Sequence, residues 1–346
     1  MAKKLNKKGK IIITISSIVG GLTLTYFLTI IIAAEIMFSN LFQWSRPNYD
    51  TTPGLISFSR VDQSVYSREE FKINNLNTYL YNQNDSDNLI VFATGVHTGA
   101  DEYLGIICKF VDDGFDVLAY DYTGCYESKG ICYGFPQAIK DLDNVLKYVE
   151  NNQDLKDKNI YLFGYSMGGY AVSSVLTYTH NVNAVASLAG INQAEETTIA
   201  LASSYVPKFF VDTTSWYVKS YQRNKFGSLS YLKASDVISN SNIPTLIIQG
   251  EKDNLVKPDT LAIYKHKDEI KNSKADYLYL EGEHTGHLKI LYSEAALTYR
   301  TQVKEDTKNI KDKAELKTYI SGVNHLLYSE PNPLVFDAVV SFFNSN

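Results

Sequence analysis

The chain has 346 residues, enough for one large domain or two small ones, and its 45% hydrophobic and 21% charged residues are ordinary for a globular protein. This composition excludes a wholly disordered, collagen-like or disulfide-framework chain. The net charge is −5 although the first ten residues carry five Lys and no acid. The body of the chain is therefore acidic, and we expect no nucleic-acid partner.

The first predicted element is a membrane-spanning helix. The 24 residues from Ile11 to Ala34 carry no charged side chain, and a helix of that length rises about 36 Å, enough to cross a hydrocarbon core of about 30 Å. We predict an uncleaved signal anchor at residues 11–38, because the apolar run is longer than a secretory signal and Ile32 fits poorly before a cleavage site at Ala34. A cleaved signal is the alternative.

The basic residues of the predicted tail, 1–10, indicate a cytoplasmic N-terminus, so a single-pass protein of the cell membrane is expected, with its main domain outside the cytoplasm. Residues 39–60 contain Pro47, Pro53 and Gly54 without a sustained period, which predicts a stalk. Residues 61–346 are predicted to form the main domain, with an insertion at about 191–242.

The main domain alternates strand-length apolar runs with longer helix-period stretches, which predicts an α/β fold: a mostly parallel twisted sheet with helices on both faces, opened by an antiparallel hairpin. The predicted strands are 69–73, 77–81, 89–93, 117–120, 160–163, 184–188, 245–248 and 277–280. The predicted helices are 101–113, 136–150, 168–179, 259–271 and 333–344. In such sheets, functional side chains gather on loops after the carboxyl ends of the strands.

One of these loops carries a serine between glycines. The sequence Gly164-Tyr165-Ser166-Met167-Gly168-Gly169 follows a predicted strand and leads into a predicted helix. The bare G-x-S-x-G pattern is weak, but a serine on a sharp strand-to-helix turn needs small neighbours, and that context is present.

A serine hydroxyl needs a base and a group that orients the base before it can act as a nucleophile at neutral pH. A carboxylate, Asp253, follows the predicted strand that ends at Ile248. Two imidazoles, His284 and His287, follow the next strand. The order Ser, Asp, His is the order that a serine on a strand-to-helix turn requires.

These residues resemble the α/β-hydrolase family over about residues 65–344. Ala93–His97 is similar to the family's strand and oxyanion loop, with Thr94 where His is common. Asp121–Ser128 resembles the D-x-R-G-x-G-x-S loop, with Thr123 replacing Arg and Tyr126 replacing the second Gly. Ile243–Gly250, which runs into Asp253, is similar to the strand that carries the acid.

The resemblance implies Ser166 as nucleophile, Asp253 as the buried acid that orients the base, and the amides of Val96 and Met167 as an oxyanion hole. His287 is the expected base because it follows the small residue Gly286 and leaves a six-residue loop after the strand. His284 is the alternative. A further alternative is a metal site formed by His284, His287, Glu281 and Glu283, but the spacing lacks H-E-x-x-H. Neither a metal nor an organic cofactor is expected.

The insertion at 191–242 is predicted to be helical and stands where this family carries its cap. It is rich in aromatic residues such as Phe209, Phe210 and Trp216. Whether these rings line a substrate site or only pack the cap stays open at this point. So does the state of Cys125 and Cys132, which lie in one predicted loop and would be able to pair outside the cytoplasm.

The resemblance therefore implies a serine hydrolase that acts on a carboxylic ester, lipid, amide or peptide through an acyl-enzyme, and the apolar run at 11–38 predicts that it is anchored in the membrane. Its expected partners are a small-molecule, lipid or peptide acyl substrate and the membrane, through residues 11–38. The alternatives are an acyltransferase on the same fold and a non-catalytic binding protein with this fold.

Overall fold

A computed structural model describes residues 7–53, 55–82, 84–205 and 207–346, apart from the side chain of Tyr205. Within these residues eight strands form one sheet in the order β1-β2-β4-β3-β5-β6-β7-β8. The strands are β1 Glu69–Ile73, β2 Leu76–Tyr81, β3 Asn88–Ala93, β4 Asp116–Tyr120, β5 Asn159–Tyr165, β6 Ala184–Leu188, β7 Thr245–Gly250 and β8 Ala275–Leu280.

The helices follow the strands in the alternation expected of an α/β fold. They are α1 Lys7–Phe42, α2 Leu104–Asp112, α3 Pro136–Asn151, α4 Met167–Ser174, α5 Ala194–Tyr205, α6 Lys208–Phe226, α7 Ala234–Ser239, α8 Glu294–Thr307, α9 Lys313–Ser321, α10 His325–Tyr328 and α11 Pro333–Asn344.

The sheet is covered on both faces. β1 and β2 form the antiparallel hairpin, β2 also pairs antiparallel with β4, and the other pairs are parallel. Side chains alternate across β3, so that Leu89 and Val91 join a core with α3 and α4, while Ile90 and Phe92 join a core with α2 and α11. The continuous apolar runs of the parallel strands are explained by this burial on two sides.

The predicted fold class is confirmed, and one predicted helix is wrong. Residues 259–271 contain only a short 3₁₀ turn, Ile263–His266. The backbone there bonds to other segments instead of to its own previous turn: Ile263 N donates to Gly190 O at 2.9 Å, and Asn192 N donates to Leu261 O at 2.8 Å. The structure also contains α8, α9 and α10, which the sequence did not predict.

The long apolar helix α1 is long enough to cross a membrane. It extends to Phe42, beyond the predicted span of 11–38, and Ile30, Ala34, Phe38 and Phe42 are buried against the main domain. Their four-residue spacing keeps them on one face of the helix. Residues 1–6 of the predicted basic tail lie outside the described residues.

The segment predicted as a stalk lies against the domain at its start. Trp44 N donates to Gly124 O at 3.3 Å, and Tyr126 N donates to Trp44 O at 2.8 Å. α1 is thereby tied to the loop after β4. The domain boundaries at residues 10, 38 and 60 stay predictions.

Candidate active site

Ser166 lies between β5 and α4 in a strained backbone conformation. Its φ is 56° and its ψ is −112°, values that L-residues adopt only where the surroundings hold them. Ser166 N donates to Leu188 O at 2.9 Å, which fixes the turn to the end of β6. The strain lifts the hydroxyl above the carboxyl edge of the sheet, as expected for a nucleophile elbow.

The flanking glycines are required by close packing. A Cβ on Gly164 would lie 2.2 Å from Gly168 O, and a Cβ on Gly168 would lie 2.0 Å from Ala93 O. The elbow therefore sits directly on the end of β3. These two close contacts explain why the G-x-S-x-G pattern has glycine at both positions.

Asp253 lies in the turn after β7 and is buried. Its Oδ1 accepts hydrogen bonds from Leu255 N at 3.0 Å and Val256 N at 2.8 Å. Its Oδ2 accepts from Gln249 Nε2 at 3.1 Å and from His287 Nδ1 at 2.7 Å. Four donors thus fix the carboxylate and leave no rotational freedom to either oxygen.

His287 connects the carboxylate to the serine. A carboxylate only accepts, so His287 Nδ1 carries the proton that bonds Asp253, and Nε2 of the neutral ring accepts from the Ser166 hydroxyl. The Nε2 to Oγ distance is 3.0 Å. The structure therefore brings Ser166, Asp253 and His287 together in one hydrogen-bonded chain, with each side chain less than a tenth exposed.

The neighbours of His287 fix its ring. The Tyr165 ring packs on it with centroids 5.0 Å apart, and Tyr165 Oη donates to His287 O at 3.1 Å. Burial raises the pKa of Tyr165 well above its ordinary value, so this phenol stays a donor. Neither Tyr165 nor Gln249 received a role from the sequence, although both lie within the motifs that carry Ser166 and Asp253.

The loop that carries His287 is tied to the loop after β7. Lys252 N donates to Thr285 Oγ1 at 3.2 Å. Lys252 Nζ also pairs with Glu283 and holds the pKa of that exposed carboxyl below its usual value. His284 is exposed. The structure therefore brings His287, and not His284, to Ser166.

The two predicted oxyanion donors come from two different segments. Met167 is the first residue of α4, where amides have no partner inside the helix. Val96 lies in the loop after β3, next to His97, whose φ is 63°. Gly95 N donates to Tyr103 Oη at 3.2 Å and Thr98 Oγ1 donates to Gly95 O at 2.8 Å. These two bonds fix the backbone of the loop at Gly95.

The residues of the Asp121–Ser128 loop, including those that depart from the family's pattern, have defined surroundings. The Thr123 amide and hydroxyl both donate to Asp141, each at 2.8 Å. Tyr126 has a φ of 48°, in the region that favours glycine. Asp121 accepts from Ala100 N at 3.0 Å and Tyr79 Oη at 2.8 Å, and burial raises its pKa to about 7.

The described residues contain no group of three or more His, Cys, Asp or Glu side chains arranged to hold a metal ion. Cys108, Cys125 and Cys132 are free thiols and all three are buried. Cys125 Sγ donates to Phe42 O at 3.4 Å, so this thiol contacts the end of α1 instead of Cys132.

Part of the chain matches a protein-family model. The model described as Serine aminopeptidase, S33 matches residues 84–229, a segment that contains Ser166 and ends before Asp253. An uncharacterized protein of Caenorhabditis elegans is 23% identical over 184 residues, which are 53% of this chain and 37% of that protein. The chain thus spans well under half the length of this relative.

Solved structures of the same fold cover most of the chain. The esterase Pf2001 of Pyrococcus furiosus has a TM-score of 0.52 at 17% identity and covers 78% of this chain and 98% of its own. Est1E of Butyrivibrio proteoclasticus, solved with ferulic acid bound, has a TM-score of 0.50 at 15% identity and covers 69% of this chain and 97% of its own. At sequence identities this low, the similarity concerns the fold alone.

The sheet order, the serine elbow, the family match and the fold likeness agree with the resemblance drawn from the sequence. The chain has the α/β-hydrolase fold, and its residues 84–229 match the Serine aminopeptidase, S33 family model.

Proposed function

We propose that this chain is a membrane-anchored serine hydrolase that cleaves carboxylic esters through an acyl-enzyme on Ser166. The observation that carries the proposal is the continuous hydrogen-bonded chain from Asp253 Oδ2 through the His287 ring to Ser166 Oγ, with links of 2.7 and 3.0 Å. These contacts are short enough for proton transfer without rearrangement.

The chemistry follows from the direction of the hydrogen bonds. As Ser166 Oγ attacks the substrate carbonyl carbon, its proton passes to His287 Nε2, and Asp253 stabilises the imidazolium. The imidazolium then gives that proton to the leaving alcohol as the bond from carbon to oxygen breaks. A water molecule, deprotonated by His287, attacks the acyl-enzyme and releases the carboxylic acid and free Ser166.

The developing oxyanion is assigned to the amides of Met167 and Val96. The position of Met167 at the start of α4 supports this role, because the helix dipole also favours negative charge there. Loss of one such donor typically costs about 10²–10³-fold in rate.

An ester substrate is favoured over a peptide with a free amino terminus. Recognition of an ammonium group needs a carboxylate near the site, and the large cavity that reaches His97 is lined by no charged side chain among the described residues. Both an acyltransferase and a non-catalytic binding protein remain rivals, the first because an alcohol is able to replace water in the second step.

A fluorophosphonate probe tests the catalytic proposal on the full-length protein in detergent. Wild type is expected to be labelled once, at Ser166, and Ser166→Ala not at all. A folded wild-type protein that stays unlabelled would support the non-catalytic rival. Product analysis with added alcohols separates hydrolysis from acyl transfer.

The membrane part of the proposal rests on α1. Its length and apolar composition support a single-pass anchor, and the basic residues ahead of it support a cytoplasmic N-terminus with the main domain outside.

A further inference from the structure

A cavity of about 650 Å³ lies between α1 and the cap helices α5 and α6. Ala33, Ala34 and Met37 of α1 line one wall, and Ala202, Phe210 and Val218 line the other. We call this cavity the anchor groove. Since no charged side chain lines it within the described part of the chain, its walls favour a hydrocarbon occupant.

The anchor groove is held open by two contacts between α1 and α6. The Phe27 and Trp216 rings meet edge to face with centroids 5.9 Å apart, and the Phe38 and Tyr221 rings stack at 4.6 Å. Small side chains, Ala33 and Ala34, lie on α1 between these contacts. The groove is therefore a gap between α1 and α6 that lies between these two ring contacts.

One end of the anchor groove lies at the level expected for the outer membrane surface. A helix needs about 20 residues to cross the hydrocarbon, so a span that starts after Lys10 ends near Ile30. Trp216 of the cap contacts Phe27 near this level, and Phe209, Phe210 and Trp216 of α6 are exposed, as suits aromatic rings at a membrane interface. Lys208 and Asp212 pair on the same helix at 2.7 Å, as suits the headgroup region.

The other end reaches the loop after β3. His97 lines the groove, and it directly follows Val96, the proposed oxyanion donor. The α1 residues that line the groove run from Tyr26 to Leu41, a rise of about 22 Å. One leaflet is about 15 Å deep, so the groove is long enough for one acyl chain of a membrane lipid.

We propose that the anchor groove binds one acyl chain of a lipid ester drawn from the outer leaflet, and that the membrane-spanning helix is itself a wall of the substrate site. The delivery of the ester to Ser166 rests on the proposed function. The occupancy of the groove does not, because it depends only on the apolar walls and on the position of α1.

Photo-crosslinking tests whether an acyl chain occupies the anchor groove and does not require catalysis. Full-length protein carrying Ser166→Ala is placed in phosphatidylcholine nanodiscs that contain a phosphatidylcholine with a diazirine in its acyl chain, and cross-linked peptides are mapped by mass spectrometry. Because Ala202 is only 7% exposed, a cross-link there requires a chain inside the groove. We expect cross-links at Ile199–Ala202.

Two neighbouring tryptophan substitutions provide the matched comparison. Ala33 and Ile32 are both exposed on α1, but only Ala33 lines the groove. Ala33→Trp should lower cross-linking at Ala202 about 10-fold, the loss expected when roughly two methylenes leave an apolar wall. Ile32→Trp should not lower it. Thermal unfolding midpoints check that both variants fold.

Three results would overturn the inference: cross-links confined to the outer face of α1, equal effects of the two tryptophans, or labelling of Ala202 by a soluble diazirine fatty acid but not by the phospholipid. Active protein provides a second readout. The kcat/KM for 4-nitrophenyl esters should rise from acetate to laurate, and Ala33→Trp should flatten that rise. A missing fluorophosphonate label at Ser166 would contradict the proposed function while leaving the cross-linking result valid.

Discussion

At the scale of single residues, the site depends on hydrogen bonds in which the donor and the acceptor are both fixed by the surrounding residues. Asp253 accepts from two backbone amides and from Gln249, which leaves one lone-pair direction for His287. This arrangement fixes the tautomer in which Nε2 faces Ser166. An amide in place of the carboxylate would favour the opposite tautomer.

Asp253→Asn should therefore lower kcat about 10⁴-fold while the protein stays folded. Steady-state hydrolysis of 4-nitrophenyl butyrate measures the loss. His287→Ala should lose a similar factor, whereas His284→Ala serves as the control and should keep nearly full activity because its side chain is exposed and bonds neither partner. A dead His284→Ala with an active His287→Ala would contradict the assignment.

Asp121 should make the stability of the fold depend on pH. Burial raises its folded-state pKa from 3.8 to about 7, so between these values the folded state binds more protons than the unfolded state. Stability from this group is full at low pH and is lost as the pH rises toward 7. We expect the free energy of unfolding of wild type minus that of Asp121→Asn, measured with urea at pH 5.5 and 8, to be smaller at pH 8. A value that grows with pH would contradict the raised pKa of Asp121.

At the scale of elements, α1 has two roles that its sequence does not separate. Its N-terminal part is exposed, as a lipid-facing helix would be, while Ile30 is buried and Ala34, Phe38 and Phe42 join the same core as α3 and α4. Apolar side chains suit lipid and protein equally, so the sequence predicted the helix but not its packing on the cap.

Truncation should separate these roles. A chain that starts at residue 29 keeps all four buried side chains, whereas a chain that starts at residue 41 loses Ile30, Ala34 and Phe38. The shorter chain should be less stable by at least about 3 kcal/mol, the scale of deleting one buried Phe side chain. Denaturant unfolding of both chains in the same detergent measures this. Equal stabilities would mean that α1 does not pack on the domain in solution.

Other elements show where sequence patterns were sufficient. The eight strands were predicted within two residues because their apolar runs are short and bounded by turns. The candidate site residues followed from their places at strand ends. The sequence favoured His287 over His284, and the fold adds a reason for the position of the loop: a Cβ on Gly250 would lie 2.0 Å from Thr285 O, so the loop packs directly on the end of β7. The helices α8 and α9 are mostly exposed and carry no strong apolar stripe to reveal them.

At the scale of the whole molecule, the proposed orientation puts the main domain outside the cytoplasm and the basic tail inside. The three native thiols are buried, so a single introduced cysteine reports its own position. Ser345 is exposed at the end of the chain. On intact cells, a membrane-impermeant maleimide should label Ser345→Cys as fully as it does after lysis. Labelling of Ser345→Cys only after lysis would reverse the orientation.

The proposed function would explain why α1 stays in contact with the cap helices. The anchor groove joins the expected membrane surface to the loop that carries Val96, so the proposed substrate entry, binding and reaction would lie along one path. The central claim of the proposed function is the formation of a covalent acyl-enzyme at Ser166.

The most direct test is the acyl-enzyme itself. Full-length protein mixed rapidly with 4-nitrophenyl butyrate and quenched with acid should release one burst of nitrophenol per protein molecule and carry a butyryl group on the peptide that contains Ser166. The burst should vanish in Ser166→Ala. Turnover without any adduct, or an adduct on a different residue, would contradict the account.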